Sequence, residues 1–248
     1  MTNSHLRLRM FAGPHGSGKS TITSVIPTKL LGIYVNPDEI EKKVHKQQFL
    51  DLKHYGICST SQDLLEFFSQ SSLLEREGLL AQARYLFLKD NKLYYHGVEV
   101  NAFYASVTAD YIRHKLIEAE RTFTIETVMA SPEKIKVLKK AQESGYKTYL
   151  YYIATEDPEI NISRVRYREK MGGLFVPVDK IVERYALSLD LLYDAVKYVH
   201  RAYIFDNSGH QHICLAKVRE GKEMEMMVDK VPAWFKKALW DKIPHHHS

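Results

Sequence analysis

The chain has 248 residues, 45% of them apolar and 26% charged, with only 12 Gly and 8 Pro. That length carries a large core in an α/β domain, and that composition excludes collagen, low-complexity sequence and long disorder. The net charge of +5, from 35 basic and 30 acidic residues, suits anionic ligands such as nucleotides without calling for nucleic acid.

Residues 6–12 (LRLRMFA) read as a first strand running into a glycine loop, and 18–31 as a helix. Residues 32–35 form a short second strand, after which Pro37-Asp38 punctuates the chain and Asp38 caps a helix starting near Glu39. From 47 to 97 the pattern gives one helix around Leu64, Leu65, Phe67 and Phe68, a second over 73–88, and a turn with a short strand over 90–97. A helix over 101–119 and an alternating strand over 121–127 (RTFTIET) follow. Ser131-Pro132-Glu133 then starts a helix that stops at Gly145. Residues 146–154 are an apolar strand, and its Tyr149-Leu150-Tyr151-Tyr152 run reads as buried strand rather than a stacking platform.

Residues 158–171 form a basic helix ending in Gly172-Gly173. Residues 179–199 are amphipathic, with Ile181, Tyr185, Leu189, Leu192, Val196 and Val199 on one stripe. A last core strand spans 202–205, a hairpin turns at Glu220-Gly221, and a short helix carries Trp234 and Trp240. Alternating strands and helices imply an α/β fold, a mostly parallel sheet with helices on both faces and ligands at the carboxyl ends of its strands. The whole of 1–248 reads as one domain, with 46–99 as an insertion and 209–248 as a C-terminal hairpin and helix extension. No run of 18 apolar residues exists and the start lacks a signal-peptide stretch, so no membrane association is expected. Cys58 and Cys214 are too few for a disulfide framework or a cysteine-based zinc site, and a reducing cytoplasm is the simplest compartment. The closing HHHS is given no function.

Gly13-Pro14-His15-Gly16-Ser17-Gly18-Lys19-Ser20-Thr21 fits the P-loop pattern G-x-x-x-x-G-K-[ST]. Glycines let the backbone N–H groups turn inward as an anion nest. Lys19 is placed to reach the β- and γ-phosphates of ATP, and the Ser20 hydroxyl to ligate Mg²⁺. Asp38, just past the second strand, is a candidate proton acceptor, a magnesium contact through water, or only a helix cap. Glu126 and Thr127 close the RTFTIET strand and are candidates for gripping substrate hydroxyls. Arg164 and Arg168, four apart on the basic helix, read as lid arginines for the transferring phosphoryl group, against a solvated basic face. Asp206 has the form of a Walker B acid or of a turn residue. The twelve histidines show no metal spacing.

GPHGSGKST, NPDEI, FTIETVMA, the stretch from GYKTYLYYIATEDPEI to YREKMGG, VPVDKIVERYALSLDLL and YIFDNS occur in this order, and together they resemble the zeta-toxin-like P-loop kinases. The resemblance implies a P-loop NTPase of the nucleotide-kinase type that uses ATP and Mg²⁺ to phosphorylate a hydroxyl of a small molecule. In the best-known members that acceptor is UDP-N-acetylglucosamine, and some members are toxins restrained by an antitoxin protein. It makes Lys19 and Ser20 the phosphate and magnesium contacts, Asp38 the general base, Glu126 and Thr127 sugar-nucleotide contacts, and Arg164 or Arg168 the lid arginine. Leu174 and Leu187 stand where relatives carry a histidine and a second arginine. These departures leave two alternatives: a kinase with a different acceptor, or a non-catalytic ATP-binding switch.

Overall fold

The computed structural model describes residues 6–243. The final histidines therefore lie outside the described residues. The chain divides into two compact units: one holds the chain up to Gly32 and from Thr124 onward, the other holds Ile33–Phe123.

The larger unit opens with β1 (Arg7–Ala12), α1 (Lys19–Ser24) and α2 (Thr28–Leu31). The single helix expected over 18–31 is thus two pieces. Pro27 lacks an N–H and disfavours helical geometry at Ile26, so the chain restarts with Leu30 N–H on the Pro27 carbonyl, at 2.8 Å.

The smaller unit contains β2 (Ile33–Val35), α3 (Pro37–Gln47), β3 (Phe49–Asp51), α4 (Ser61–Ser69), α5 (Ser72–Arg76), β4 (Phe87–Lys89), β5 (Lys92–Tyr94) and α6 (Ala102–Glu118). The cap of α3 is Asn36, not Asp38. Asn36 Oδ1 accepts the Asp38 N–H at 2.9 Å, and Pro37 takes the first helical position its fixed φ suits, which leaves Asp38 in the first turn. The long helix expected over 73–88 is also absent. Gly78, at φ 69°, ends α5, and Leu79 N–H reaches back to the Leu74 carbonyl. A 3-10 turn over Leu80–Tyr85 then leads into β4. Strands β3, β5 and β4 form a small antiparallel sheet in that order, with Asp90 and Asn91 both at positive φ in the β4–β5 turn.

The larger unit resumes with β6 (Phe123–Thr127), α7 (Glu133–Glu143), β7 (Lys147–Ala154), α8 (Pro158–Lys170), α9 (Val178–Asp190), α10 (Leu192–Val196), β8 (Arg201–Asp206), β9 (Ile213–Arg219), β10 (Glu223–Met226) and α11 (Ala233–Ala238). The amphipathic run over 179–199 is two helices that keep the expected stripe, with Ser188 fully buried where Leu189 was expected. The strand order is β10-β9-β8-β7-β1-β6; β1 and β8 run parallel to β7, and the β9–β10 hairpin is antiparallel. The fold is the expected α/β type: a mostly parallel central sheet flanked by helices.

One face of that sheet is solid core: Leu8, Met10, Leu150, Tyr152, Ala202 and Ile204 are all fully buried. The tyrosine run is therefore split by the strand's period of two. Tyr152 is core, whereas Tyr149 and Tyr151 are half-buried on the opposite face. There Phe11, Tyr151 and Tyr203 stack in register across three strands, with centroids 4.7 and 5.1 Å apart, and Arg9 lies over the Tyr149 ring. Their faces are taken up by each other, so they knit the strands together.

Candidate functional site

The loop after β1 is built on three left-handed glycines: Gly13 at φ 139°, Gly16 at 72° and Gly18 at 96°. Each is also a close approach. A Cβ on Gly13 would sit 1.9 Å from the Ile153 carbonyl oxygen, one on Gly16 2.6 Å from that of Asn161, and one on Gly18 2.1 Å from Asn207 Nδ2. The loop is thus pressed between the end of β7, the start of α8 and the segment after β8. Asn161 donates its amide to the His15 carbonyl and accepts the Thr155 hydroxyl. Asn207 donates to the Ser17 carbonyl at 2.8 Å. These two asparagines clamp the loop and escaped the sequence reading, because they are single amides in otherwise ordinary segments.

Lys19 is buried, and its Nζ donates to the carbonyls of Gly13 at 2.8 Å and Pro14 at 2.9 Å. The ammonium is therefore curled over the cradle. Ser17 Oγ is buried without a hydrogen-bond partner. Ser20 and Thr21 are exposed on α1. Helix α1 is six residues long and aligns few peptide dipoles, so an anion here depends on the loop backbone and on side-chain cations.

Those cations converge on His15. Arg184 Nη1, from α9, lies 3.0 Å from His15 Nε2. Burial, then the positive charges of Lys19, Arg184 and Arg168 in that order, push the His15 pKa down to about 3. Arg168 is exposed on α8, and its charge is the smallest of the three that act on His15. Arg164 is engaged otherwise: its guanidinium donates to the carbonyls of Asn207 at 2.8 Å and Gly209 at 3.5 Å, bracing the segment that holds Ser17. Arg184 was missed, although it opens the Arg-Tyr pair of a motif already quoted. It lies in an amphipathic pattern whose apolar stripe drew the reading.

Helix α9 organises more than Arg184. Tyr185 donates to the Thr155 carbonyl at 2.6 Å, and Ser188 donates to the Val128 carbonyl at 2.7 Å while lying 3.1 Å from the Tyr152 hydroxyl. One helix thereby pins the loops after β1, β6 and β7. Glu126 and Thr127, at the end of β6, are both buried, and the Thr127 hydroxyl accepts the Met129 N–H at 3.1 Å. Leu174 is half-buried and Leu187 is exposed on α9.

Asp38 is exposed in the smaller unit, on the first turn of α3. Its charge helps raise the pKa of buried Glu41, where burial is the larger cause and His45 opposes. Asp206 is committed to structure: its carboxylate accepts from Ser208 N–H and Oγ, each at 2.9 Å, and from Trp234 Nε1 at 2.7 Å. The turn-residue reading holds there.

The residues present fit a bound polyphosphate. A cradle that side chains would fill, an orphaned hydroxyl at Ser17 and three nearby cations are what such a group requires. Among the described residues no group of three or more His, Cys, Asp or Glu is placed to hold a metal. A magnesium ion here would take Ser20 and phosphate oxygens, the sparse protein ligation Mg²⁺ commonly accepts.

In comparison with known proteins, residues 88–215 match the model of the family described as Zeta toxin. That match starts beyond the phosphate loop, within β4, and ends within β9. A crystal structure of AvrRxo1-ORF1:-ORF2 with ATP superposes at TM-score 0.52 and 14% identity, over 91% of this chain and 61% of that one. A structure from the PezAT chromosomal toxin–antitoxin system of Streptococcus pneumoniae gives TM-score 0.53 and 15% identity, over 98% and 82%. An uncharacterized protein of Haemophilus influenzae is 33% identical over 72 residues, which are 29% of this chain and 51% of that protein. The chain therefore spans about half the length of this curated relative and about three fifths of the AvrRxo1-ORF1 chain. With the family model matched over more than half its length, on a sheet and loop of the P-loop kind, the chain belongs to the zeta toxin family.

Proposed function

We propose that this protein is an ATP-dependent phosphotransferase that passes the γ-phosphoryl group to a hydroxyl of a small molecule, with UDP-N-acetylglucosamine as its acceptor. The observation that carries this reading is the convergence of Lys19, Arg168 and Arg184 on a loop held open by three left-handed glycines. When bound, ATP with Mg²⁺ supplies the phosphoryl group and part of the charge neutralisation. The backbone of Gly13, Pro14, His15, Gly16, Ser17 and Gly18 wraps the phosphates, with Ser20 and Thr21 completing the loop on α1. Lys19 exchanges the carbonyls of Gly13 and Pro14 for phosphate oxygens. Arg168 and Arg184 bring positive charge to where negative charge develops. Ser20 offers its hydroxyl to the metal. Asp38 takes the proton from the acceptor hydroxyl, and Glu126 and Thr127 hold acceptor hydroxyls. Arg164 serves this site by bracing 207–209.

The test is transfer of label from γ-labelled ATP with Mg²⁺ to a panel of hydroxyl acceptors headed by UDP-N-acetylglucosamine, with Lys19→Ala as control. Label on that sugar nucleotide supports the full reading. Lys19-dependent label on another acceptor keeps the kinase and replaces the acceptor. Tight ATP binding with no transfer to any acceptor replaces the kinase with a binding switch. One solved relative comes from a chromosomal toxin–antitoxin system, so a restraining antitoxin belongs to the same proposal. Growth arrest on expression that disappears with Lys19→Ala supports a toxin, and harmless high-level expression of the wild type counts against one.

A further inference from the structure

His15 joins three elements of the larger unit. Its carbonyl accepts from Asn161 on α8, and its ring nitrogen Nε2 lies 3.0 Å from Nη1 of Arg184 on α9. A guanidinium has donors and no acceptor, so this bond requires a lone pair on Nε2. His15 is therefore neutral, with its proton on Nδ1. The charged groups that face it are Lys19 from α1, Arg184 from α9 and Arg168 from α8, and all three disfavour a second proton. An arginine in open solvent samples many rotamers, and a ligand that recruits it must meet the ordering cost on binding. An arginine already bonded to a loop residue meets that cost when the protein folds.

We propose that His15 is a positioning residue: the lone pair on Nε2 holds the Arg184 guanidinium beside the phosphate loop, so that a polyphosphate entering the loop finds the arginine in place. This rests on the phosphate-binding reading above. It makes a specific demand on position 15, namely a side chain long enough to reach Arg184 and ending in an acceptor. Phenylalanine fills the space without an acceptor, whereas glutamine supplies an amide oxygen.

The experiment measures ATP affinity by calorimetry in the wild type, His15→Phe, Arg184→Ala, the double variant and His15→Gln. His15→Phe and Arg184→Ala should each weaken ATP by about tenfold, and the double variant no more than either alone, because both remove one shared interaction. His15→Gln should stay within about threefold of the wild type. A second readout needs no ligand: in the nitrogen-15 NMR spectrum of the free protein, the slowly exchanging guanidinium signal of Arg184 should persist in His15→Gln and vanish in His15→Phe. Additive losses in the double variant, or an Arg184 signal unmoved by His15→Phe, overturn the proposal. A wild type that does not bind ATP rejects the phosphate reading instead, and the Arg184 signal then decides the contact by itself.

Discussion

The indole nitrogen of Trp234 donates to a carboxylate oxygen of Asp206 at 2.7 Å, fastening the C-terminal helix α11 to the end of core strand β8. Both residues are largely buried, so the bond is charge-assisted and shielded from water. The same carboxylate holds Ser208, one residue past the asparagine that clamps the phosphate loop. Trp234→Phe keeps the ring and removes the donor. It should destabilise the protein by about 1–3 kcal/mol, the usual cost of leaving a buried partner unpaired. For a chain of this size that is a fall of about 2–4 °C in Tm for each kcal/mol, readable by calorimetry. An unchanged Tm would show the bond to be idle.

Two glycines with positive φ should respond to alanine very differently. A Cβ on Gly13 meets the Ile153 carbonyl oxygen at 1.9 Å, and backbone cannot yield there, whereas Gly172 at φ 84° has nothing within 4 Å. Gly172→Ala should cost about 1 kcal/mol, the strain of the left-handed region alone. Gly13→Ala should cost several times more and abolish nucleotide binding along with the loop shape. Urea unfolding of the two variants side by side checks the ratio; equal costs would refute the close approach.

Ser17 Oγ is buried and unpaired in the free protein. Ser17→Ala removes an unsatisfied polar atom and should leave stability unchanged or raise it by up to about 1 kcal/mol. A clear loss of stability in thermal unfolding would mean that the hydroxyl already has a partner.

His15 gives a pH dependence of defined sign. The unfolded chain protonates it near 6.5, the folded protein only near 3. Between those values the unfolded state binds more protons, so this group destabilises the fold as pH falls, by up to about 1.4 kcal/mol per pH unit, and contributes no slope above the unfolded value. His15→Gln should flatten the stability profile between pH 6 and pH 4. Urea midpoints across that range in both proteins test it, and parallel profiles would assign the slope to other groups.

Much of the phosphate loop was legible from residue types alone, because only glycine tolerates the backbone of Gly13, Gly16 and Gly18 and because Lys19 must follow at fixed spacing. Helix ends were legible wherever one residue fixes a backbone angle, as at Gly145, and were misplaced where two signals compete: Asn36 against Asp38 for one cap, Pro27 against a continuous apolar pattern.

The sequence by itself determined the alternation of strands and helices in the larger unit, the cradle for an anion and its lysine. These are local matters of period, dihedral angle and spacing. The tertiary structure decided which cations act on that cradle's His15. Arg164 and Arg168 share a helix face four residues apart, yet one braces the carbonyls of 207–209 while the other's charge acts on His15. Arg184, 169 positions beyond His15, is the one bonded to it. It likewise made Asp206 the anchor of Trp234. Spacing along a chain fixes which residues can share a face. Only the packing of one element on another determines what that face meets.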